Sequence, residues 1–223
     1  VGSEMCIRDR NTVDLIKNNG GNAFAIGADL TSTAECKKVV KEVINKWNRL
    51  DILDNNIGIA SNTSVVNENE RYWDKVMNIN LKPMFLMSKY SIPAMINSGN
   101  GGVIINISSI SATRPKGYTS YSASKGAVIS LTKAMAVDHG TDGIRVNCIL
   151  PGPVYTPMVY QDGMSDKLRK IRKDASLLNV EGDGFDIGKA VVYLSSNWAK
   201  YITGQTLVVD GGFSLSYKSR GWY

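Results

Sequence analysis

The chain has 223 residues, 43% of them hydrophobic and 21% charged, and it carries a formal net charge of +6. These values are typical of one soluble globular domain, and the positive charge suits anionic ligands such as nucleotide phosphates. No apolar run reaches the ~18 residues of a membrane span, and no basic stripe is interleaved with aromatic residues, so we expect neither a membrane nor a nucleic acid as partner.

Cysteine and histidine usage argues against disulfides and metal sites. The sequence has three cysteines, Cys6, Cys36 and Cys148, which is an odd number without C-x-x-C spacing. This pattern predicts reduced thiols and a cytoplasmic setting. The single histidine, His139, has no cluster of metal-ligand residues around it, so we interpret it as a surface residue at a helix end.

The first third of the chain predicts two helices with a strand between them. Residues 1–10 show no pattern and are interpreted as a non-native junction, whereas Asn11 and Gly20 mark the start and end of a helix. The compact apolar run from Ala23 to Ala28 predicts a strand. Ser32 and Glu35 predict a capping box. The helix behind it has one apolar stripe that would pack on a sheet, formed by Cys36, Val39, Val40, Val43, Ile44 and Trp47.

A second strand and a long helix follow. The strand at residues 50–53 leads into Asn55-Asn56-Ile57-Gly58, where an asparagine amide can tie neighbouring strands together and the glycine lets the backbone approach a cofactor. In isolation, a plain turn explains these four residues equally well. The stretch from Glu70 to Tyr90 predicts a helix with Asn80 on its buried face, and Pro83 predicts a kink beside it.

The residues from Val103 to Lys125 carry the main chemical prediction. The β-branched run of residues 103–107 predicts a buried strand that brings Ser109 to its C-terminal end. Tyr121 and Lys125 are four residues apart on a predicted helix and therefore share a face. A cation about 4 Å from the phenol contributes roughly 4 kcal/mol at an effective dielectric near 20, so we expect the pKa of Tyr121 to fall by about three units. The phenol would then be a usable acid or base near neutrality.

The last third predicts two more strands with helices between them. A strand at residues 145–150 runs into a Pro-Gly turn at residues 151–156, a helix is predicted at residues 186–194, and a closing strand at residues 206–209. The segment at residues 157–181 is polar and basic. It is interpreted either as a substrate lid or as a solvated helix.

Ser109, followed after twelve residues by Tyr121-x-x-x-Lys125, resembles the catalytic core of the short-chain dehydrogenase/reductase family. The N-N-x-G at residues 55–58, with Ile57 where the family has alanine, and the P-G-x-V-x-T at residues 151–156 extend the resemblance over roughly residues 11 to 213. A rival motif overlaps it, since Ser122-x-x-Lys125 also reads as the S-x-x-K of penicillin-binding proteins, but no S-D-N or K-T-G follows.

The resemblance implies an α/β fold with a doubly wound, Rossmann-like parallel sheet and helices on both faces, in a single domain over residues 1–223. It implies an oxidoreductase that interconverts a secondary alcohol and a ketone with NAD or NADP. Tyr121 would be the acid or base, Lys125 would lower the pKa of Tyr121 and hold the nicotinamide ribose, and Ser109 would orient the carbonyl oxygen. Asn80 would complete a proton relay through a water. The resemblance assigns cofactor binding to Tyr121, Lys125, Asp29, Leu30, Asn56, Ile57, Gly58, Pro151, Gly152, Val154 and Thr156.

The family's glycine-rich loop is not found in this sequence. Because no G-x-G-x-x-G occurs, we expect the first strand, the glycine loop and the first helix of the family to be missing, and the affinity for a dinucleotide to be low. Residues 5–9 would be a remnant of the second strand. Asp9 would then face the adenosine ribose, and Arg8 or Arg10 a 2′-phosphate.

Several functional alternatives remain open from the sequence. The substrate expected first is a sugar or polyol, and the second is a 3-oxoacyl group on an acyl carrier protein. The protein is expected to be a homo-oligomer, either a dimer or a tetramer. A different class of function is a noncatalytic fragment that retains only oligomer contacts through the helices of residues 70–98 and 118–139.

Overall fold

The β-branched runs of the sequence form the centre of one parallel sheet. The computed structural model describes residues 11–156 and 163–216. Within these residues the sheet has four strands in the order β1-β2-β3-β4, which are Ile52–Asn55, Gly102–Ile107, Ile144–Pro151 and Thr206–Val209. Leu53 pairs with Ile104, Asn106 with Cys148, and Ile149 with Leu207. The order in the sheet is therefore the order along the chain.

Helices cover both faces of this sheet. The helices are α1 over residues 11–18, α2 Thr33–Trp47, α3 Glu70–Asn80, α4 Lys82–Asn97, α5 Thr119–His139, α6 Asp166–Ala175 and α7 Gly184–Ser195. Side chains of a strand point alternately to opposite faces. Accordingly, Ile104 packs with α4 and α5, whereas Ile105 and Ile107 pack with Ile187 of α7. The predicted α/β fold with helices on both faces of a parallel sheet is confirmed.

The predicted kink near Asn80 is a break between two helices. Helix α3 ends at Asn80, and Leu81, with φ −115° and ψ −49°, separates it from α4. Pro83 lies in the first turn of α4, where its missing N–H costs no helical hydrogen bond. The break turns the fully buried side chain of Asn80 toward the C-terminal edge of the sheet.

Two local predictions near the start of the chain were wrong. Residues 23–28 form no strand, because apolar residues need a neighbouring strand to complete a hydrogen-bonded ladder, and none lies beside them in the described residues. Phe24 instead packs edge-on against Trp47, with ring centroids 4.9 Å apart. The capping box of α2 is half formed. The Ser32 hydroxyl accepts from Glu35 N, but Ser32 N donates to the Asp29 carbonyl instead of the Glu35 side chain.

Candidate functional site

The carboxyl end of β2 places two serines against helix α5. The Ser108 hydroxyl is buried and donates to the Lys125 carbonyl oxygen at 2.7 Å, while Ser108 N continues the ladder to the Ile149 carbonyl at 2.8 Å. Ser109 leads into a short 3-10 turn and accepts a hydrogen bond from Ser111 N at 3.1 Å. The Ser109 hydroxyl is thereby held at the strand end, as the sequence predicts.

Lys125 is almost fully buried, with 4% of its surface exposed. Its Nζ donates to the Ile107 carbonyl at 2.9 Å and lies 5.8 Å from the centroid of the Tyr121 ring. Burial lowers the pKa of Lys125 to about 8. The ammonium is therefore tied to the end of β2, and at neutral pH most of it remains protonated.

Tyr121 differs from the expectation in its acidity. Burial raises the pKa of Tyr121, and a side-chain hydrogen bond with Ser109 opposes this rise. The expected fall of the Tyr121 pKa toward neutrality was wrong, because burial of the phenol is the larger influence and Lys125 Nζ bonds to the Ile107 carbonyl. The structure does bring the Ser109 and Tyr121 side chains together, with Lys125 below the ring.

Asn80 joins the loop after β1 to helix α5. Its Oδ1 accepts from Ile59 N at 2.7 Å, and its Nδ2 donates to the Ile59 carbonyl and to the Ser124 hydroxyl, both at 3.0 Å. A Cβ at Gly58 would come within 3.3 Å of both Asn80 Oδ1 and Lys125 Nζ. The side-chain amide of Asn80 thus holds the backbone of this loop close to the lysine, and its part in a proton relay stays a prediction.

The two asparagines of the N-N-x-G segment occupy different environments. Asn55 is buried and donates to Asn106 Oδ1 at 2.9 Å and to the Ser88 hydroxyl at 3.4 Å, which ties β1 to β2 and to α4. Asn56 and Ile57 are exposed. The tie between strands is therefore made by Asn55, whereas Asn56 and Ile57 are open to a ligand at the strand end.

The Pro-Gly turn after β3 forms a loop pressed against β4. Pro151 is the last residue of β3, and Gly152 N donates to the Val209 carbonyl at 2.9 Å. A Cβ at Gly152 would approach the Cα of Asp210 to 2.7 Å, so the position needs glycine. Val154 N donates to the Gly152 carbonyl at 2.8 Å, and Thr156 is the last described residue of the loop. The loop leaves the same edge of the sheet as Ser109.

Asp29 and Leu30 do not join this group of residues. The Asp29 carboxylate accepts from the Thr31 N–H and hydroxyl at 2.9 and 2.7 Å, which lowers the pKa of Asp29. Leu30 packs against the apolar cluster of α2 and α4. Their assignment to the adenine end of a cofactor stays a prediction. The Arg8, Asp9 and Arg10 assignment, Cys6, and residues 157–162 of the suggested lid lie outside the described residues.

The sequence interpretation missed a polar cluster that fixes the start of α5. Glu68 Oε2 accepts from the Ser61 hydroxyl at 2.9 Å and from the Ser120 hydroxyl at 2.7 Å, and these bonds lower the pKa of Glu68. Thr119 N also donates to the Thr63 carbonyl at 3.1 Å. A lone glutamate in a loop reads as a solvated charge, so no sequence signal identified it.

Residues 11–156 and 163–216 contain no group of three or more His, Cys, Asp or Glu side chains placed to hold a metal ion. In those ranges, too, no helix is both long and apolar enough to cross a bilayer. His139 ends α5 and contacts Asp142 at 2.9 Å.

Comparison with known sequences finds relatives whose descriptions agree with one another. Residues 4–214 match a family model described as enoyl-(acyl carrier protein) reductase. The chain is 38% identical over 204 residues to the 3-oxoacyl-(acyl-carrier-protein) reductase FabG of Staphylococcus aureus, covering 91% of this chain and 82% of that protein.

Solved structures give the same relationship. A short-chain dehydrogenase/reductase from Burkholderia xenovorans superimposes with a TM-score of 0.86 at 33% identity, covering 92% of this chain and 80% of that one. Acetoin dehydrogenase from Enterobacter cloacae gives a TM-score of 0.82 at 31% identity, covering 93% and 81%. With Ser109, Tyr121 and Lys125 gathered at the end of a parallel sheet, these matches show that the chain belongs to the short-chain dehydrogenase/reductase family of NAD(P)-dependent oxidoreductases.

Proposed function

We propose that this protein interconverts a secondary alcohol and a ketone at the carboxyl end of β2, with Tyr121 as the acid or base. The observation that carries the proposal is the approach of the Ser109 hydroxyl to the Tyr121 phenol at the end of β2, beside the almost fully buried Lys125 ammonium. Two hydroxyl groups that meet at one point can both contact a single carbonyl oxygen. The nearby cation favours the phenolate that forms when Tyr121 gives up its proton.

Each side chain has a separate part in the proposed reaction. During reduction, Tyr121 donates its proton to the carbonyl oxygen while the Ser109 hydroxyl donates a hydrogen bond to the same atom. Lys125 uses one N–H on the Ile107 carbonyl, which leaves two donors for a ribose hydroxyl and for the field at the phenol. NADH or NADPH supplies the hydride when bound. Asn80 acts by holding the loop at residues 58–60 beside the lysine.

The residues present fit the nicotinamide end of such a cofactor. Gly58 leaves space beside Lys125 Nζ, and Gly152 lets the loop at residues 151–156 lie close to β4. Both glycines lie at carboxyl ends of strands, where ligands of open α/β sheets bind. We assign the nicotinamide end to Tyr121, Lys125 and the loop at residues 151–156, and the rest of the cofactor to Asp29, Leu30, Asn56 and Ile57.

Two classes of substrate have support. The first is a small hydroxyketone, sugar or polyol, supported by the likeness to acetoin dehydrogenase. The second is a 3-oxoacyl thioester, supported by the identity to the 3-oxoacyl-(acyl-carrier-protein) reductase of Staphylococcus aureus. In both, the reacting group is a ketone flanked by a polar function, so the same three side chains serve either substrate.

We also propose that the protein is a homo-oligomer. Several large apolar side chains beyond α7 and on β4 are open to solvent, including Trp198 at 86% and Tyr201 at 101% exposure, with Val192, Leu207 and Val208 nearby in sequence. Exposed apolar residues of this size favour a contact between protein surfaces. Analytical ultracentrifugation of the wild type and of Trp198→Ser measures the association state, which should fall in the variant.

The decisive experiment is a cofactor and substrate screen on the purified protein. Nicotinamide fluorescence and calorimetry with NADH and with NADPH measure binding, and loss of reduced nicotinamide absorbance with acetoin or an acetoacetyl thioester measures turnover. Turnover that disappears in Tyr121→Phe supports the proposal. Binding of neither dinucleotide would instead favour a noncatalytic chain.

A further inference from the structure

A cavity of about 620 Å³ opens at the amino ends of β3 and β4, at the opposite edge of the sheet from Ser109. Its lining comes from residues 140–145, which join α5 to β3, and from residues 200–205, which precede β4. Because β3 has eight residues and a strand rises ~3.3 Å per residue, the cavity lies roughly 20–25 Å from the carboxyl edge. Its volume is in the range of sites for small ligands. The cavity is therefore distinct from the proposed active site.

The lining of this cavity has two positive charges and no negative one. Arg145 and Lys200 line it, whereas no aspartate or glutamate of the described residues does so. The ion pairs formed within residues 11–156 and 163–216 include neither of these two cations. Asp142, the acidic residue nearest to Arg145 in sequence, contacts the His139 ring at 2.9 Å. Within the part of the chain that the structure describes, both cations thus lack a carboxylate partner.

Arg145 is held in place while part of its donor capacity stays unused. Its Nη1 donates to the carbonyl oxygens of Leu194 and Ile202 at 2.7 and 3.4 Å, and its Nη2 donates to the Ser196 carbonyl at 3.2 Å. These acceptors are neutral, and burial lowers the pKa of Arg145. Because a guanidinium has five N–H groups, donors remain for a ligand. The bonds to the end of α7 fix the guanidinium before any ligand arrives, which reduces the entropy lost on binding.

Tyr201 adds an aromatic surface to the same cavity. The residue is fully exposed, and it lines the cavity together with Ile144 and Ile202. An aromatic ring in this position can stack on a planar group of a ligand. Trp198, whose substitution tests the proposed association of subunits, is not part of the lining. The cavity therefore combines positive charge with a planar apolar face.

The charge of the lining defines the class of ligand. A phosphate monoester carries a charge of about −1.5 to −2 at neutral pH, which matches two cations, and it accepts hydrogen bonds from an arginine in a favourable geometry. We propose that this cavity binds a small aromatic phosphate monoester, with the phosphate at Arg145 and Lys200 and the ring on Tyr201. The site lies apart from Tyr121 and Lys125, so the inference does not depend on the proposed ketone reduction.

The test is calorimetry of the purified protein with phenyl phosphate, inorganic phosphate, benzoate and phenol. We expect phenyl phosphate to bind most tightly and its affinity to fall with added salt, because salt screens exposed charges. Lys200→Gln should weaken phenyl phosphate roughly fivefold to tenfold, and Lys200→Arg, which retains the charge, should not. Tyr201→Ser should weaken phenyl phosphate while leaving inorganic phosphate unchanged. Equal affinities for phenyl phosphate and phenol in the wild type would overturn the inference.

Controls separate this site from the cofactor site and from the subunit contact. Lys41→Gln removes an exposed lysine from α2 and should leave the affinity for phenyl phosphate unchanged. Lys200 is exposed, so its substitution tests the site without the loss of backbone bonds that a change at Arg145 would cause. Displacement of phenyl phosphate by NADH would place it in the cofactor site and overturn the inference. The same conclusion would follow if Lys200→Gln changed the association state in ultracentrifugation but not the affinity for phenyl phosphate.

Discussion

The Ser120 hydroxyl donates to Glu68 Oε2 at 2.7 Å, and the next residue along the chain is Tyr121. Helix α5 begins at Thr119, and Tyr118 before it provides no side-chain cap. The Glu68 carboxylate, which also accepts from Ser61, therefore replaces a cap and is a favourable negative charge at a helix N-terminus. We therefore expect the position of the Tyr121 phenol to depend on a glutamate more than fifty residues away.

The first prediction tests this dependence. Ser120→Ala removes the donor and frees the first turn of α5, and a displaced reacting group lowers turnover by about tenfold or more. We expect kcat to fall while the dissociation constant of NADH changes little. Ser122→Ala is the matched control, because the buried Ser122 hydroxyl has no hydrogen-bond partner in the described residues. Equal kcat values for the two variants would show that Glu68 does not position Tyr121.

A second prediction concerns the proton donor. Tyr121→Phe keeps the ring but loses the hydroxyl that meets Ser109. Loss of a general acid lowers the rate by about 10² to 10⁴, whereas cofactor contacts through Lys125 and the loop at residues 151–156 persist. We expect a corresponding fall in kcat with the affinity for NADH and NADPH nearly intact. Turnover by the Phe variant at the wild-type rate would contradict the assignment.

The third prediction is a pH dependence set by Lys125. Because its pKa is about 8, raising the pH above this value removes the ammonium that favours the developing phenolate. The kcat/KM for ketone reduction reports groups of the free enzyme, so it should decline on the alkaline side with a midpoint near 8. Lys125→Met should be slow at every pH and lack this decline. A profile that stays level to pH 10 would exclude the lysine from the reaction.

The fourth prediction concerns stability. The buried Lys125 ammonium favours the proposed reaction but is expected to destabilise the folded state. Folding lowers the pKa of Lys125 from 10.5 to about 8. This shift lowers the free energy of unfolding by roughly 3 kcal/mol at pH 7. The lowering disappears as the pH rises from about 8 to 10.5. Lys125→Met removes the buried charge but also the bond to the Ile107 carbonyl, worth about 1 kcal/mol. We expect denaturant unfolding at pH 7 to show the variant more stable by about 1–2 kcal/mol.

The fifth prediction separates a buried asparagine of the sheet from an exposed asparagine just beyond β1. Asn106 is fully buried and bonds to Asn55 on one side and to the Thr132 hydroxyl at 2.9 Å on the other. Asn106→Ala removes one hydrogen bond from each of two buried polar partners and leaves a small cavity, so the free energy of unfolding should fall by about 2–4 kcal/mol. Asn56→Ala, at an exposed site, should change it by less than about 0.5 kcal/mol. Similar losses in the two variants would contradict this interpretation.

Much of the central sheet was predictable because its signals are local. The β-branched run at residues 103–107 and the run at residues 145–150 became β2 and β3 with shifts of one residue at their ends. The apolar run at residues 23–28 carried a similar signal and failed, since a strand exists only with a partner. Composition identifies strand-forming residues, whereas pairing depends on what lies beside them.

The candidate site also combines features that local sequence patterns predict with features that they do not predict. The spacing of Tyr121 and Lys125 fixed their common helix face, but the Tyr121 pKa depends on burial and on where Lys125 Nζ finds its acceptor, and neither is encoded in spacing. The contacts of Glu68 with Ser120 and of Arg172 with Val154 join loops from distant parts of the chain. Short-range patterns hold no information about such contacts, so the sequence interpretation missed them.

The agreement between sheet order and chain order has a kinetic consequence. Ile105 pairs with Asn147 across a shorter stretch of chain than separates Ile52 from Val103 or Cys148 from Thr206. Closing a shorter loop costs less conformational entropy, and the β2–β3 pairing is also the most extensive in register. We expect β2, α5 and β3 to associate first during folding. Ser109, Tyr121 and Lys125 all lie in or between these elements, so the chemical centre would be assembled in the nucleus and the cation-bearing helix α6 would be added afterwards.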